Sequence, residues 1–187
     1  PTVVFTGNMS YPPNVRAVTW FVQSVWPAVR AVVPTALFVV AGWHPAPEIL
    51  ALDARPGVSI MADLHDLSPV LRGAWLAAAP LMTGAGLRTK ILEAWAVGRP
   101  VVLSPVAASG LHLDDDAASL VVRDASEAAQ VIEHLLKDGR ERHRLGADAH
   151  ALAEREYVWE RAGSRLNDLL CTVARRSPGD SRQLGVG

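Results

Sequence analysis

The chain has 187 residues, half of them apolar and a fifth charged, with a formal net charge of −1. That length suits a single three-layer core, or one domain with a helical tail, and is short for two independent domains. The balanced charge lacks the basic footprint of a nucleic-acid-binding groove, and the one cysteine, Cys171, excludes an internal disulfide and a cysteine-based zinc site. The richest apolar stretch, Thr35 to Trp43, is about half the roughly 20 residues that a membrane span needs. A soluble, cytoplasmic domain is expected. The chain starts at Pro1, directly in a strand-like run with no initiator Met or leader, and so reads as a trimmed piece of a longer protein.

Residues 2–5, "TVVF", predict a first strand, followed by the polar loop "GNMSYPPN". Asn14 is the expected N-cap of a helix whose apolar face carries Val15, Val18, Phe21, Val22, Val25, Val29 and Val32, with Pro27 breaking or restarting it. "ALFVVAG", 36–42, reads as a strand buried on both faces, and "VSIM", 58–61, as a shorter one. Between them "APEILALD" predicts a short helix, and Asp66 is placed to cap another in "HDLSPVLRG".

Further strands are expected at "AWLAAAPL", 74–81, "PVVLS", 100–104, and "SLVV", 119–122. A helix over 89–98 ends at Gly98, and three more follow at about 126–137, 139–155 and 160–175. Strand and helix alternate about six times, which predicts an α/β fold: a doubly wound, Rossmann-like parallel sheet of about six strands with helices on both faces. The domain is expected to end near residue 176, with 177–187 a breaker-rich disordered tail.

Ligands of such sheets bind at the carboxyl ends of the strands, so the loops 7–14, 42–47, 62–66, 80–88 and 104–110 are the places for chemistry. The loop in "GAGLRTKILEAW", 84–95, is the strongest. Gly84 and Gly86 can adopt positive φ and uncover backbone N–H groups, where the start of the next helix presents the positive end of its dipole. Arg88 and Lys90 stand in that first turn, an unfavourable place for cations unless an anion is present. The chain has sixteen arginines and two lysines, so lysine at 90 departs from its usual choice. Glu93, three residues on, can pair with Lys90 or accept from ligand hydroxyls.

The spacing is neither that of a P-loop nor of a G-x-G-x-x-G dinucleotide fingerprint. A solvated Lys–Glu pair beside an ordinary glycine turn remains the plain alternative. "DDD", 114–116, reads as a solvated acidic run in a loop between strands rather than a metal site, and no histidine has ligand spacing. His134, His143 and His150 fall on helices as surface residues; His65 and His112 are the two worth following. Trp75, Trp95 and the stripe over 18–26 read as core.

The stretch "PLMTGAGLRTKILEAWAVGRPVVLSPVAASGL", 80–111, resembles the donor-binding half of GT-B glycosyltransferases of the retaining family four. "VVFTGNMSYPPNVRAVTWFVQSVWP" is similar to that group's first strand and helix, and "EREYVWE" to its late signature, so the resemblance runs from 1 to about 175. It implies the C-terminal, nucleotide-sugar-binding half of a GT-B enzyme, with an N-terminal acceptor domain as partner and a possible peripheral membrane association through that half. The implied reaction moves a sugar from a nucleotide diphosphate to a glycan or lipid-linked acceptor with retention, without metal or other cofactor.

The resemblance also implies roles. Arg88 and Lys90 neutralise the departing diphosphate, Gly84 and Gly86 bring backbone donors to it, and Glu93 accepts from ribose hydroxyls. Gly7, Asn8 and Asn14 edge the phosphate side, with Ser109 and Gly110 in the loop that completes the donor site. The chain departs from the pattern at Ala62, Ala85, Ala107 and Ser109, where the family has glycine or glutamate. Those departures motivate a second reading, a non-catalytic Rossmann-like interaction module. A sugar-phosphate epimerase of similar architecture would need a histidine–carboxylate spacing that is not present. Leu166, Leu169, Leu170 and Val173 are expected to be exposed or covered by a neighbour, since the last helix crosses to the other half in that fold.

Overall fold

A computed structural model describes residues 1–84, 89–118 and 120–158. The first strand β1, Thr2–Asn8, leads into a long helical segment made of α1, Pro12–Trp20, a π turn at Phe21–Val25, and α2, Trp26–Val32. Then follow β2, Leu37–Trp43; α3, Pro47–Leu50, continued by a 3-10 turn at Ala51–Ala54; β3, Val58–Ala62; α4, Ser68–Gly73; and β4, Leu76–Ala79. The second half holds α5, Thr89–Ala96; β5, Val101–Leu103; the single-turn helices α6, Pro105–Ala108, and α7, Asp115–Ala118; and the longer α8, Ala125–Lys137, and α9, Gly139–Glu156.

The five strands are all parallel, in the order β3-β2-β1-β4-β5. The chain builds outward from β1 through β2 to β3, returns past β1 to form β4, and continues to β5. The switch point therefore lies between the carboxyl ends of β1 and β4. The expected sixth strand at 119–122 does not form: among the described residues only a single bridge, Val121 to Leu103, extends the sheet. Val121 is half-buried, so the apolar run satisfies packing without the backbone ladder of a strand.

The helix expected from Val15 begins earlier, at Pro12, because prolines at its first positions carry no N–H and have φ already set for a helix. Tyr11, not Asn14, occupies the N-cap position, and Asn14 lies inside α1. Pro27 does not break the segment. It is accommodated by the π turn, in which the Trp26 N–H donates to the Phe21 carbonyl and the helical register shifts by one residue. The turn also aims three rings at one another: Phe21 and Phe38 have centroids 4.5 Å apart, and Trp26 and Phe38 5.5 Å. These tilted contacts hold the α1–α2 segment on the sheet, and Trp95 and Ile91 of α5 are fully buried as well.

The N-cap position of α4 is Leu67 and not Asp66, which stands one residue earlier and closes a local turn, its Oδ1 accepting the Ser68 N–H at 2.8 Å. The acidic run 114–116 does not sit between strands. It starts α7, with Asp114 Oδ1 accepting the Ala117 N–H, Asp116 paired with Arg144 at 2.9 Å, and Asp114 with Arg155 at 3.8 Å. The exposed edge of β3 is closed locally, since Asp53 Oδ1 accepts the outward Ile60 N–H at 2.8 Å. The helix expected at 160–175, with Leu166, Leu169, Leu170 and Val173, and the tail 177–187 lie outside the described residues.

Candidate functional site at the switch point

At the carboxyl end of β1 the backbone turns through Gly7, whose φ of +145° is a region that favours glycine. A Cβ there would lie 3.0 Å from both Asn14 Nδ2 and Lys90 Nζ, so the missing side chain is what lets those two groups close over the strand end. Lys90 Nζ donates to Asn14 Oδ1 at 2.8 Å, and Asn14 Nδ2 donates to the Asn8 carbonyl at 2.8 Å. Asn14 is 6% exposed, and with Thr6 it is one of two buried polar residues in the described structure. Both ends of its amide are satisfied, as a buried polar group requires. Lys90 Nζ also stands 3.9 Å from the centroid of the Phe5 ring, a cation–π contact that fixes the ammonium above β1.

Asn8 closes its own turn, with Oδ1 accepting from the Ser10 N–H at 2.9 Å and from the Ser10 hydroxyl at 2.8 Å. The loop after β4 is held from two sides. Arg16 Nη2 donates to Thr83 Oγ1 at 3.3 Å, and the Ser104 hydroxyl donates to the Leu81 carbonyl while accepting the Ala107 N–H at the start of α6. Gly84 leaves this loop with φ +127°. Gly86 and Arg88 fall at positions outside the described residues.

Four sequence-predicted residues thus meet: Gly7, Asn8, Asn14 and Lys90. Lys90 reaches across to α1 and does not pair with Glu93, which is exposed on α5 and lines a neighbouring cleft of about 400 Å³. Trp43, His65, Leu67 and Ser68 form other walls of that cleft. Ser109 and Gly110 are exposed beyond α6, with Gly110 at φ +83°, and make no hydrogen bond to the Asn14–Lys90 cluster. His112 is spent on structure through its backbone, which donates to the Tyr157 hydroxyl at 2.6 Å. His150 pairs with Glu154 on α9.

Trp43 and Ser104 were not among the expected site residues. Trp43 ends an apolar strand and is indistinguishable from core in sequence, yet it is 41% exposed at the rim of the cleft. Ser104 had a readable signal, a serine before proline at a helix start, but α6 is one turn long. The carboxyl ends of β2 and β3 also hold two non-glycine residues at φ +51°, His44 and Asp63, coupled by the His44 N–H donating to Asp63 Oδ1 at 2.9 Å. Such left-handed residues persist where surrounding bonds over-determine them. Hydrogen bonds from the Ser68 hydroxyl and N–H hold the Asp66 carboxyl below its ordinary pKa, so it stays an anion on the cleft wall.

A family model described as Glycosyl transferases group 1 matches residues 1–138. The chain belongs to that family. No curated protein matches it in sequence. Among solved structures, this group 1 glycosyltransferase domain is similar to a TarM variant of S. aureus in complex with UDP and other ligands, at 15% identity and a TM-score of 0.76, over 90% of this chain and 35% of that one. It is similar to HepE of Anabaena in complex with UDP-glucose, at 14% identity and a TM-score of 0.70, over 91% of this chain and 48% of that one. It also matches a separately solved C-terminal domain of a group 1 family protein, LpcC of Francisella tularensis, at 14% identity and a TM-score of 0.64, over 84% of this chain and 86% of that one. The glycosyltransferase domain spans a third to a half of the first two, and its architecture is the Rossmann-like half of a GT-B fold.

Proposed function

We propose that this domain binds the nucleotide diphosphate sugar donor of a retaining glycosyltransferase, as the C-terminal half of a two-domain enzyme whose other half carries a glycan or lipid-linked acceptor. The observation that carries the reading is the convergence of Gly7, Asn14 and Lys90 at the switch point between β1 and β4, where open parallel sheets take ligands. UDP in the TarM structure and UDP-glucose in the HepE structure support a nucleotide-sugar as the ligand class. The LpcC domain supports the C-terminal placement.

In this reading the diphosphate lies against the Gly7–Asn8 turn, and Lys90, with Arg88, stabilises the negative charge that grows on the leaving group as the glycosidic bond breaks. Protein cations do this work, so no metal is required. Glu93, one helical turn beyond Lys90, accepts from the ribose hydroxyls. The cleft walled by Trp43 and His65 continues the same path for the remainder of the nucleoside.

The test is a heteronuclear NMR titration of the chain with UDP, GDP and ADP. Saturable shifts at the Gly7, Asn8 and Lys90 amides are expected for at least one nucleotide. Absence of shifts at those three positions with all of them removes the donor-site assignment.

A further inference from the structure

The opposite end of the sheet carries an unusual pair of cations. Gly98, at φ +69°, ends α5, and Gly146 of α9 crosses it so closely that a Cβ on Gly146 would lie 2.3 Å from the Gly98 carbonyl oxygen. This crossing brings the residue after Gly98, Arg99, beside the residue one turn before Gly146, Arg142. The Arg142 guanidinium stacks on the Trp75 ring, with its carbon 4.1 Å from the centroid, at the amino end of β4. Burial first, and then the adjacent Arg99 charge, push the Arg142 pKa down.

Neither arginine has a carboxylate partner within ion-pair distance among the described residues, although Arg123, Arg144 and Arg155 all do. Arg99 Nη2 donates to the Arg72 carbonyl at 2.7 Å and Arg142 Nη1 to the Leu135 carbonyl at 2.6 Å, each near a helix C-terminus where a cation is favoured. Those two bonds use two of the ten guanidinium N–H donors. Arg99 Nε is buried without any acceptor. Asp138, whose charge acts on Arg142 from beyond ion-pair distance, caps the start of α9, where its Oδ1 accepts the Glu141 N–H at 2.9 Å.

We propose that Arg99 and Arg142, on the floor of Trp75, form a second anion site that takes a phosphate group, separate from the donor cleft. Planar guanidinium forks match the oxygens of a phosphate, and the Trp75 ring beneath Arg142 holds one of the two forks in place. The phosphate comes either from a lipid headgroup at a membrane surface or from a soluble ion, and one experiment separates the two.

The chain is titrated with inorganic phosphate and, separately, with phosphatidylcholine vesicles with and without phosphatidylglycerol. The readouts are the Trp75 indole N–H and Arg99 Nε–H signals, which do not report on the Gly7 site. A saturable phosphate response assigns a soluble phosphate; a response to the phosphatidylglycerol vesicles alone assigns a lipid headgroup. Arg99→Gln is expected to weaken the response at least about tenfold, the loss of one charge-assisted bond. Arg142→Gln serves the same purpose where the first variant does not fold, and the wild-type titration stands without either. Silence of both signals with both probes, or an unchanged response in a folded Arg99→Gln or Arg142→Gln protein, overturns the site.

Discussion

Lys90 Nζ and Asn14 Oδ1, 76 residues apart in the chain, are joined at 2.8 Å over the carboxyl end of β1. The bond fixes the one lysine of the glycine-loop helix to the buried face of the first helix. It makes the cation's position a property of the fold rather than of a free side chain.

If Lys90 contacts the diphosphate, Lys90→Ala weakens UDP binding by about 1.5–3 kcal/mol, the range for a hydrogen bond to a charged group, or roughly ten- to a hundredfold in Kd. Isothermal titration measures it. An affinity within a factor of two of wild type makes Lys90 a structural cation.

Asn14 separates position from charge. Asn14→Asp keeps an acceptor for Lys90 but places a negative charge beside the proposed phosphate subsite and loses the donor to the Asn8 carbonyl. UDP affinity is expected to fall even where urea denaturation shows a folded protein. Asn14→Ala leaves the Asn8 carbonyl short of a donor and is expected to lower stability by about 1–3 kcal/mol.

Gly7→Ala is strained twice, by its φ of +145° and by the 3.0 Å approach of its new Cβ to Asn14 and Lys90. A loss of about 1–3 kcal/mol is expected, seen as a lower urea midpoint at unchanged slope, together with weaker UDP binding because the lysine must move. A variant with wild-type stability and binding contradicts the close packing over this turn.

Gly146→Ala sets two effects against each other. Alanine in a helix interior gains about 1 kcal/mol over glycine, whereas a Cβ 2.3 Å from the Gly98 carbonyl forces α9 outward at an overpacking cost of about 1–3 kcal/mol. The obstacle is backbone and cannot rotate away, so net destabilisation is expected. A rise in Tm shows that α9 is not seated against Gly98.

Acid lability follows from two carboxylates hydrogen-bonded at helix starts. The Asp138 carboxyl is held below its ordinary pKa chiefly by the Glu141 N–H, and Asp66 by Ser68. A depressed folded pKa contributes stability that is complete above the unfolded value, about 3.9, and is lost as pH falls through the folded one. Thermal melts followed by circular dichroism are expected to drop below about pH 4 and to drop less steeply in Asp138→Ala. An identical pH slope in the variant excludes that cap as the cause.

Much of the fold was legible because its signals are local. The apolar runs at 36–42 and 58–61 became β2 and β3, and the helix expected to stop at Gly98 does so through a bond only a few residues long, the Gly98 N–H to the Trp95 carbonyl. The run at 119–122 misled because apolar content alone does not distinguish a strand from a packed bridge. Asn14 misled for a similar reason: an asparagine before an apolar periodic segment looks like an N-cap, while Pro12 and Pro13 had already started the helix.

What the sequence by itself determined is the alternating α/β class, the glycine turn and the cations beside it, since each depends on residue types at short spacing. Which of those groups meet was decided only by the tertiary structure. The return of the chain past β1 places the start of α5 next to the β1 turn, and so brings Lys90 to Asn14 and Phe5 rather than to Glu93. The same crossover logic at the other end presses Gly146 onto Gly98 and sets Arg99 beside Arg142. Neither meeting has a periodicity to announce it, because long-range contacts follow strand order and helix crossing, which local pattern does not encode.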